Sequence, residues 1–543
     1  MSSIDVTEIL RASAELQPVK KKPRVGELGD ISTATANVAD ILAALEKDTS
    51  QAEVIDEVAV KRIVLQLEKR CLKNREMRIK YGDEPTKFMD SEVDLNFAIQ
   101  EMHVLAAQPE LYDLLVDLGA ASTLLQLLAH ENSDIIAATV NLLQELSDVD
   151  TVNEGGEGAA RLIDALVSGQ LIETLVQQSI EKLDENVKDE ADAIHNALSV
   201  VENVLDFQPA YAEQCVGQGL FTWLLRRATQ RGPLDANKMF ASELLALLLQ
   251  SSESARKKLT DKIDGFDLLL RALATYKRHD PSSADEREHM ENLFDAVCAS
   301  LLYAPNRQKF LDGEGLQLMN LMLRERKQSR ESALKVLNHA TNGVEGKANC
   351  IKFVEILGLR TIFPLFMRTP SKLKRKDTTP DEHEEDVCSV LASLLRLCGE
   401  DGRNRVLMKF SEHEYEKVDR AVELLLKYKE RMDRFDARQA SRCNSSKLSD
   451  EQIEQQYLDR LDAGLYTLQR IALILADVCA NANPQCRARA NRLLQMRAGS
   501  AKINKYLIPI LEEYDINLAA EADEERKRTR LLIARLSATD RSA

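Results

Sequence analysis

Six short apolar segments of this chain each open on a glycine. They read GAASTLLQLL from Gly119, GQLIETLVQQ from Gly169, GLFTWLLRR from Gly219, GFDLLLRAL from Gly265, GLQLMNLML from Gly315 and GLRTIFPLFM from Gly358, at intervals of 50, 50, 46, 50 and 43 residues. Glycine suits such a place because a left-handed or crowded turn costs it no Cβ clash. A polar connection follows each segment, and then a second amphipathic helix. Ile194, Leu198, Val201 and Leu205 recur at helical spacing, as do Met290, Phe294, Val297 and Leu301, and again Val387, Leu391, Leu394 and Cys398. A helix with one apolar stripe cannot bury it alone, so successive units must stack. The period lies close to the ~40–47 residues of armadillo and HEAT units, with slightly long loops. The predicted fold is all-α, an armadillo/HEAT-like α-solenoid.

Composition agrees with helices. The 543 residues are 44% hydrophobic but only 5% aromatic, with 21 glycines and 13 prolines, whereas sheets favour aromatic and β-branched residues and frequent turns. Residues 1–53 read as a flexible polar tail, with at most a short helix over NVADILAALEK. Residues 54–118 are strongly periodic and are predicted to cap the first repeat. The repeats occupy 119–430, a polar linker 431–455, and a C-terminal helical block and tail 456–543. The stretch RTPSKLKRKDTTPDEHEED, 368–386, swings from basic to acidic and is expected to be an exposed loop. No apolar run approaches the length that spans a bilayer, and MSSIDVTEIL lacks the pattern of a secretory signal, so no membrane partner is expected. Nine cysteines, with no C-x-x-C pair, point to free thiols rather than disulfides or zinc.

Catalysis needs a nucleophile, base or metal held in fixed geometry. The eight histidines are scattered, and none forms an HExxH pair or a ligand set with cysteine. DEHEED at 381–386 could draw a divalent cation weakly, but reads better as a solvated acidic loop. GVEGKAN at 343–349 resembles a phosphate loop with too few residues between its glycines. The SxxK spacings at Ser332/Lys335 and Ser371/Lys374 lack their companion motifs. The expectation is a non-enzyme with no cofactor and no metal. A net charge of −16 opposes nucleic-acid binding by the surface as a whole. KLKRK at 372–376 lacks interleaved aromatics, so RNA contact would be peripheral.

The second helices are acid-rich on their polar sides. His195, Ser199, Glu202 and Asp206 line one face of the first quartet's helix, and Glu288, Glu291 and Asp295 line another. Glu145 and Asp148 end NLLQELSD, and Glu243 lies in FASELLALLLQ. Glu145, Asp148, Glu202, Asp206, Glu243, Glu291 and Asp295 are the candidates for gripping extended Lys/Arg-rich peptides. Carboxylates that merely keep an outer face soluble would look the same, because the sequence does not show which face is concave.

Long stretches are similar to one known family. KFMDSEVDLNFAIQEMHVLA, DANKMFASELLALLLQ, YKRHDPSSADEREHMENLFDAVCASLL, GEGLQLMNLMLRERKQSRESALKVLNHA, ILGLRTIFPLFM and YLDRLDAGLYTLQRIALILADVC resemble the beta-catenin-like protein 1 family over roughly residues 55–515. The resemblance implies a non-catalytic, armadillo-type nuclear protein associated with the spliceosome through the NineTeen (cell-division-cycle-five) complex. It implies binding to basic nuclear-localisation-type segments of splicing factors and, in vertebrates, of activation-induced deaminase. It also implies a basic stretch near the N-terminus followed by a strongly acidic segment; GELGDISTATANVAD is much less acidic than that pattern.

The basic stretch is QPVKKKPRVG. Lys20, Lys21, Lys22 and Arg24 surround Pro23, and Lys21–Arg24 fit the K-[KR]-x-[KR] pattern that an import carrier reads in an extended chain. The expected location is the nucleus. The alternative is that the chain is itself a transport adaptor for basic cargo. Carriers of that kind repeat a Trp with an Asn four residues later, but here the one Trp, Trp223, is followed at that distance by Arg227. Carboxylates would then supply most of the recognition, and binding would fall steeply with salt. The block 456–513 is a candidate for homodimer pairing.

Overall fold

The second helices of successive repeats pack on one another in a continuous ladder. Its members are α1 (Pro85–Met102), α2 (Ser133–Leu146), α3 (Lys188–Phe207), α4 (Ala236–Ser251), α5 (Ala284–Ser300), α6 (Ser329–Thr341), α7 (Pro380–Leu397) and α8 (Tyr466–Asn481). The computed structural model describes residues 56–261, 264–370, 378–442, 450–499, 502–519 and 522–541. No strand occurs among the described residues. The three apolar quartets of the sequence fall on α3, α5 and α7 and their C-terminal ends, and none of the twelve side chains is more than 3% exposed. At roughly 1.5–3 kcal/mol for each large apolar side chain fully buried, these stripes are the main reason the stack holds.

The repeat has three helices rather than two. The segments read as long polar connections contain a short helix ahead of each glycine-led one, as in Ala212–Gly217, Glu253–Asp261, Ala304–Asp312 and Lys347–Glu355. These helices are short and mostly polar, so their periodicity is weak in the sequence, yet each inserts anchors such as Phe310 and Phe353 (both 0% exposed) beneath the following glycine. That contact explains the glycines. At Gly315 and Gly358 a Cβ would come within 2.3 and 2.5 Å of the Phe310 and Phe353 rings. Gly119 and Gly219 instead sit at φ of 75° and 100°, where L-residues are strained. Two steric demands have selected one residue type.

The sequence reading needs correction in three places. The acidic run 381–386 is not a loop: it opens α7, with Glu382 exposed and the rest partly or fully buried. Thr379 accepts a hydrogen bond from the Glu382 amide while the Glu382 carboxylate accepts one from the Thr379 amide, and Pro380 takes the first helical position. His383 and Glu384 are then turned inward, 1% and 6% exposed. The helix Glu416–Arg442 also runs through the first half of the region read as a linker, because Val418, Val422, Leu425, Tyr428 and Met432 continue one buried stripe. Finally, the helical stretch Glu451–Asn481 has the length and hydropathy to cross a membrane, but 78% of its apolar window is buried, and its second half is the core helix α8.

Polar side chains set the register between ladder helices. Asn196 donates to Asn141 (3.2 Å) and Asn203 to Ser147 (3.2 Å), tying α3 to α2 and the residue after it. His195 meets Asn237 of α4 (3.3 Å), His289 of α5 meets Ser242 (3.0 Å), Asn338 of α6 donates to Asp386 (2.8 Å), and Thr467 of α8 donates to Glu385 (2.9 Å). A one-turn slip would leave these groups buried without partners, which costs more than each bond contributes. Helices 484–498, 504–516 and 523–541 close the C-terminal end against α8 and one another. There Asp477 is buried between Arg403 and Arg528, and Glu525 between Arg396 and Tyr514.

Candidate functional site

Each of the ladder helices α3, α4 and α5 has four sides. One is buried in the core, two face the neighbouring ladder helices, and one is left for solvent. On α3, Asn196 and Asn203 turn to α2 and His195 to α4, where its ring lies 5.0 Å from Phe240. Between these edges stand Ser199, Glu202 and Asp206. On α4, Asn237 turns back to α3 and Ser242 forward to α5, leaving Glu243 outward; on α5, His289 turns back and Asp295 forward, leaving Glu288 outward.

Glu202, Asp206, Glu243 and Glu288 therefore form an acidic row across three consecutive helices. Asp206, Glu243 and Glu288 are exposed and Glu202 is half-buried. None of the four takes a hydrogen bond or ion pair from another described residue. Partial desolvation, and then repulsion from Glu243 and Asp206, lift the Glu202 carboxyl above the usual range. Partial desolvation and the Glu288 charge do the same to Glu243. Carboxylates standing this close together form a field that an incoming cation relieves.

The other sequence candidates are differently placed. Glu145 accepts from His103 Nδ1 at 2.7 Å. Asp148 caps the helix Val149–Ser168, its carboxylate accepting from the amides of Asp150 and Thr151. Asp295 is bonded by Lys335 at 2.8 Å, and Glu291 is half-buried beside it on α5. Lys20, Lys21, Lys22, Pro23 and Arg24 lie outside the described residues, as does 372–376. Trp223 stands half-buried on the glycine-led helix Leu220–Thr229, outside the ladder, and Arg227 is held by Glu185 (2.9 Å) and Asp235 (2.6 Å). The asparagines on the ladder, such as Asn141 and Asn196, bond each other across helices instead of standing beside a Trp.

Among the described residues no three His, Cys, Asp or Glu side chains come together as a metal site. The described cysteines are free, and all but Cys71 are buried. Burial pushes the thiols of Cys215 and Cys479 up to about 12, so they are held as inert packing groups.

The description "catenin-beta-like, Arm-motif containing nuclear" belongs to the family model that matches residues 37–508. Beta-catenin-like protein 1 of Homo sapiens is 52% identical over 470 residues, 86% of this chain and 82% of that protein. Its Rattus norvegicus counterpart is 52% identical over 481 residues, covering 88% and 84%. The Schizosaccharomyces pombe homolog is 32% identical over 445 residues, 81% and 76%. A solved chain from work on the cadherin–beta-catenin interaction aligns over 79% of this chain and 75% of that one, at 13% identity and a TM-score of 0.45. With both the family model and these relatives covering more than four-fifths of its length, the chain belongs to the catenin-beta-like, Arm-motif-containing nuclear family.

Proposed function

We propose that this chain is a non-catalytic nuclear scaffold of the pre-mRNA splicing machinery, and that its ladder docks basic, nuclear-localisation-type segments of splicing factors. One observation carries the docking reading: Glu202, Asp206, Glu243 and Glu288 stand in a row on α3–α5 with no cation among the described residues paired to them. Each exposed Lys–carboxylate contact contributes only about 0.2–1 kcal/mol, so a useful affinity needs several along one row. An extended peptide advances about 3.3 Å per residue and successive ladder helices lie roughly 8–10 Å apart, so a basic side chain every third residue meets one helix after another. The nuclear setting is supported by the family, and the splicing setting, with the NineTeen complex as its assembly, by the resemblance of the sequence stretches quoted above.

The test is a titration with a Lys/Arg-rich peptide from a splicing factor at 0.1 and 0.5 M salt. Affinity should fall at the higher salt, and Glu202→Lys with Glu243→Lys should weaken it about tenfold or more at the lower. Unchanged affinity in the double variant refutes the site. Recovery of only membrane or junctional proteins with the endogenous protein refutes the splicing role.

A further inference from the structure

The solvent side of the ladder changes character at its N-terminal end. On α1, Glu92 accepts from Asn132 (2.8 Å) and His103, at its end, meets Glu145, so that edge faces α2. Ser91 and Asp94 take hydrogen bonds from Asn74 and Lys73 of the helix Glu57–Lys80, so the opposite edge faces backward. Between these edges four exposed apolar residues share the outward face with Asp90, Gln100 and Glu101: Met89 is 55% exposed, Val93 48% and Phe97 62%, at four-residue spacing, and Val104 (50%) extends the apolar stripe just past the helix end. Single exposed apolar residues are ordinary, but four on one stripe mark a contact surface. On α2 the side that continues this face offers the small residues Ala137 and Ala138 with Asn141, Asp134 and the His103-bonded Glu145, and the four-carboxylate row begins on α3.

We propose that ligands of the acidic face are bipartite. Their Lys/Arg run lies along Glu202, Asp206, Glu243 and Glu288, and large apolar side chains of the same segment seat on Met89, Val93, Phe97 and Val104. The inference rests on the docking reading above. Charge complementarity selects the occupant: a row of carboxylates stands two ladder helices along from the stripe, so a ligand covering both needs cationic residues at one end and oily ones at the other. From α1 to α3 is two ladder steps, roughly 20 Å, which corresponds to about six extended residues between the apolar anchors and the start of the basic run.

The experiment compares two synthetic peptides binding to the full chain: a basic run alone, and the same run joined through about six Gly/Ser residues to a Leu-Leu-Phe anchor. The anchored peptide should bind about tenfold tighter, equivalent to about 1.4 kcal/mol. In the double variant Val93→Ser with Phe97→Ser that gain should vanish while the basic run alone binds as before. Both side chains are about half exposed, and unchanged helical circular dichroism verifies that the fold is intact. Equal affinity of the two peptides for the natural chain overturns the proposal, as does a gain that survives the double variant. Self-association of the chain that the double variant abolishes, without any effect on the peptides, overturns it by assigning the stripe to a second copy. If Glu202→Lys with Glu243→Lys leaves the basic run's binding intact, the docking reading fails; if only the anchor's gain is missing, that reading stands and the bipartite one fails.

Discussion

His383 Nδ1 on α7 lies 2.7 Å from a Glu331 carboxylate oxygen on α6, with 1% and 7% of their side chains exposed. This pair couples two ladder helices through their buried sides. Removing one partner leaves a buried group without its hydrogen bond, a loss of about 1–3 kcal/mol. Glu331→Ala should therefore speed hydrogen exchange in α6 and α7 while leaving α3 unchanged; uniform exchange across the ladder would show that the pair has no local role.

The C-terminal helix Asp523–Arg541 is held by charge as well as by the buried Leu532 and Leu536. Arg528 and Arg403 both donate to Asp477, which is 0% exposed, and Arg470 lies between the rings of Tyr466 (4.5 Å) and Tyr514 (5.5 Å). Asp477→Asn leaves two guanidinium groups with half a partner each, at a cost of about 3 kcal/mol. The expected outcome is rapid proteolytic loss of 523–541 from an otherwise intact solenoid.

One buried histidine, His289, and one half-buried one, His339, predict acid sensitivity. Burial is the largest cause that lowers His289 and His339 to about 4. The unfolded chain takes up a proton at each near pH 6.5, and the folded chain does so only near 4. Stability contributed by keeping them neutral is thus present above 6.5 and lost progressively down to 4, by on the order of 1–3 kcal/mol each. Asp386, raised to about 7 chiefly by burial, acts in the opposite sense across much of the same range. The difference between the natural chain and His289→Asn isolates the histidine: denaturant midpoints should converge as the pH falls from 6.5 to 4.

The glycines predict a rescue. Gly315→Ala drives a methyl into the Phe310 ring and should cost about 1–3 kcal/mol, most of it recovered in the double variant with Phe310→Leu. Gly119→Ala meets no neighbour within 4 Å but sits at φ of 75°, so it should cost about 1–2 kcal/mol that no second-site change in packing restores. Denaturant midpoints of the variants distinguish the two cases.

Within the acidic face, position should matter more than charge. Glu145→Gln removes a carboxylate already bonded by His103, whereas Glu243→Gln removes one with no partner among the described residues. The second should weaken a basic peptide about twofold to fivefold and the first by less than twofold. Equal effects would place the ligand elsewhere on the ladder.

Much of the fold was legible because it is written in local spacing. The quartets on α3, α5 and α7 need only an i, i+3/i+4 rule, and their burial follows from having an oily stripe to hide. The start of α7 was legible too: Thr379-Pro380-Asp381-Glu382 is a capping box with proline at the first turn, overshadowed in the sequence by the swing of charge around it. The short helices ahead of the glycines were not, since nine residues such as Ala304–Asp312 carry too few apolar positions to stand out from a polar connection.

Helix identity, the stacking period and the candidate carboxylates are properties of neighbouring residues, and chain order alone defines them. Which carboxylates share a surface is a relation between helices about forty residues apart in the chain, as Glu202 is from Glu243, and it exists only once packing has settled the rotation of each helix. The same packing engaged Glu145 with His103 and Asp148 with a helix end, and left Glu243 and Glu288 facing water. Burial satisfies the polar groups it covers, so only the three-dimensional stack separates carboxylates already in use from those still available to a partner.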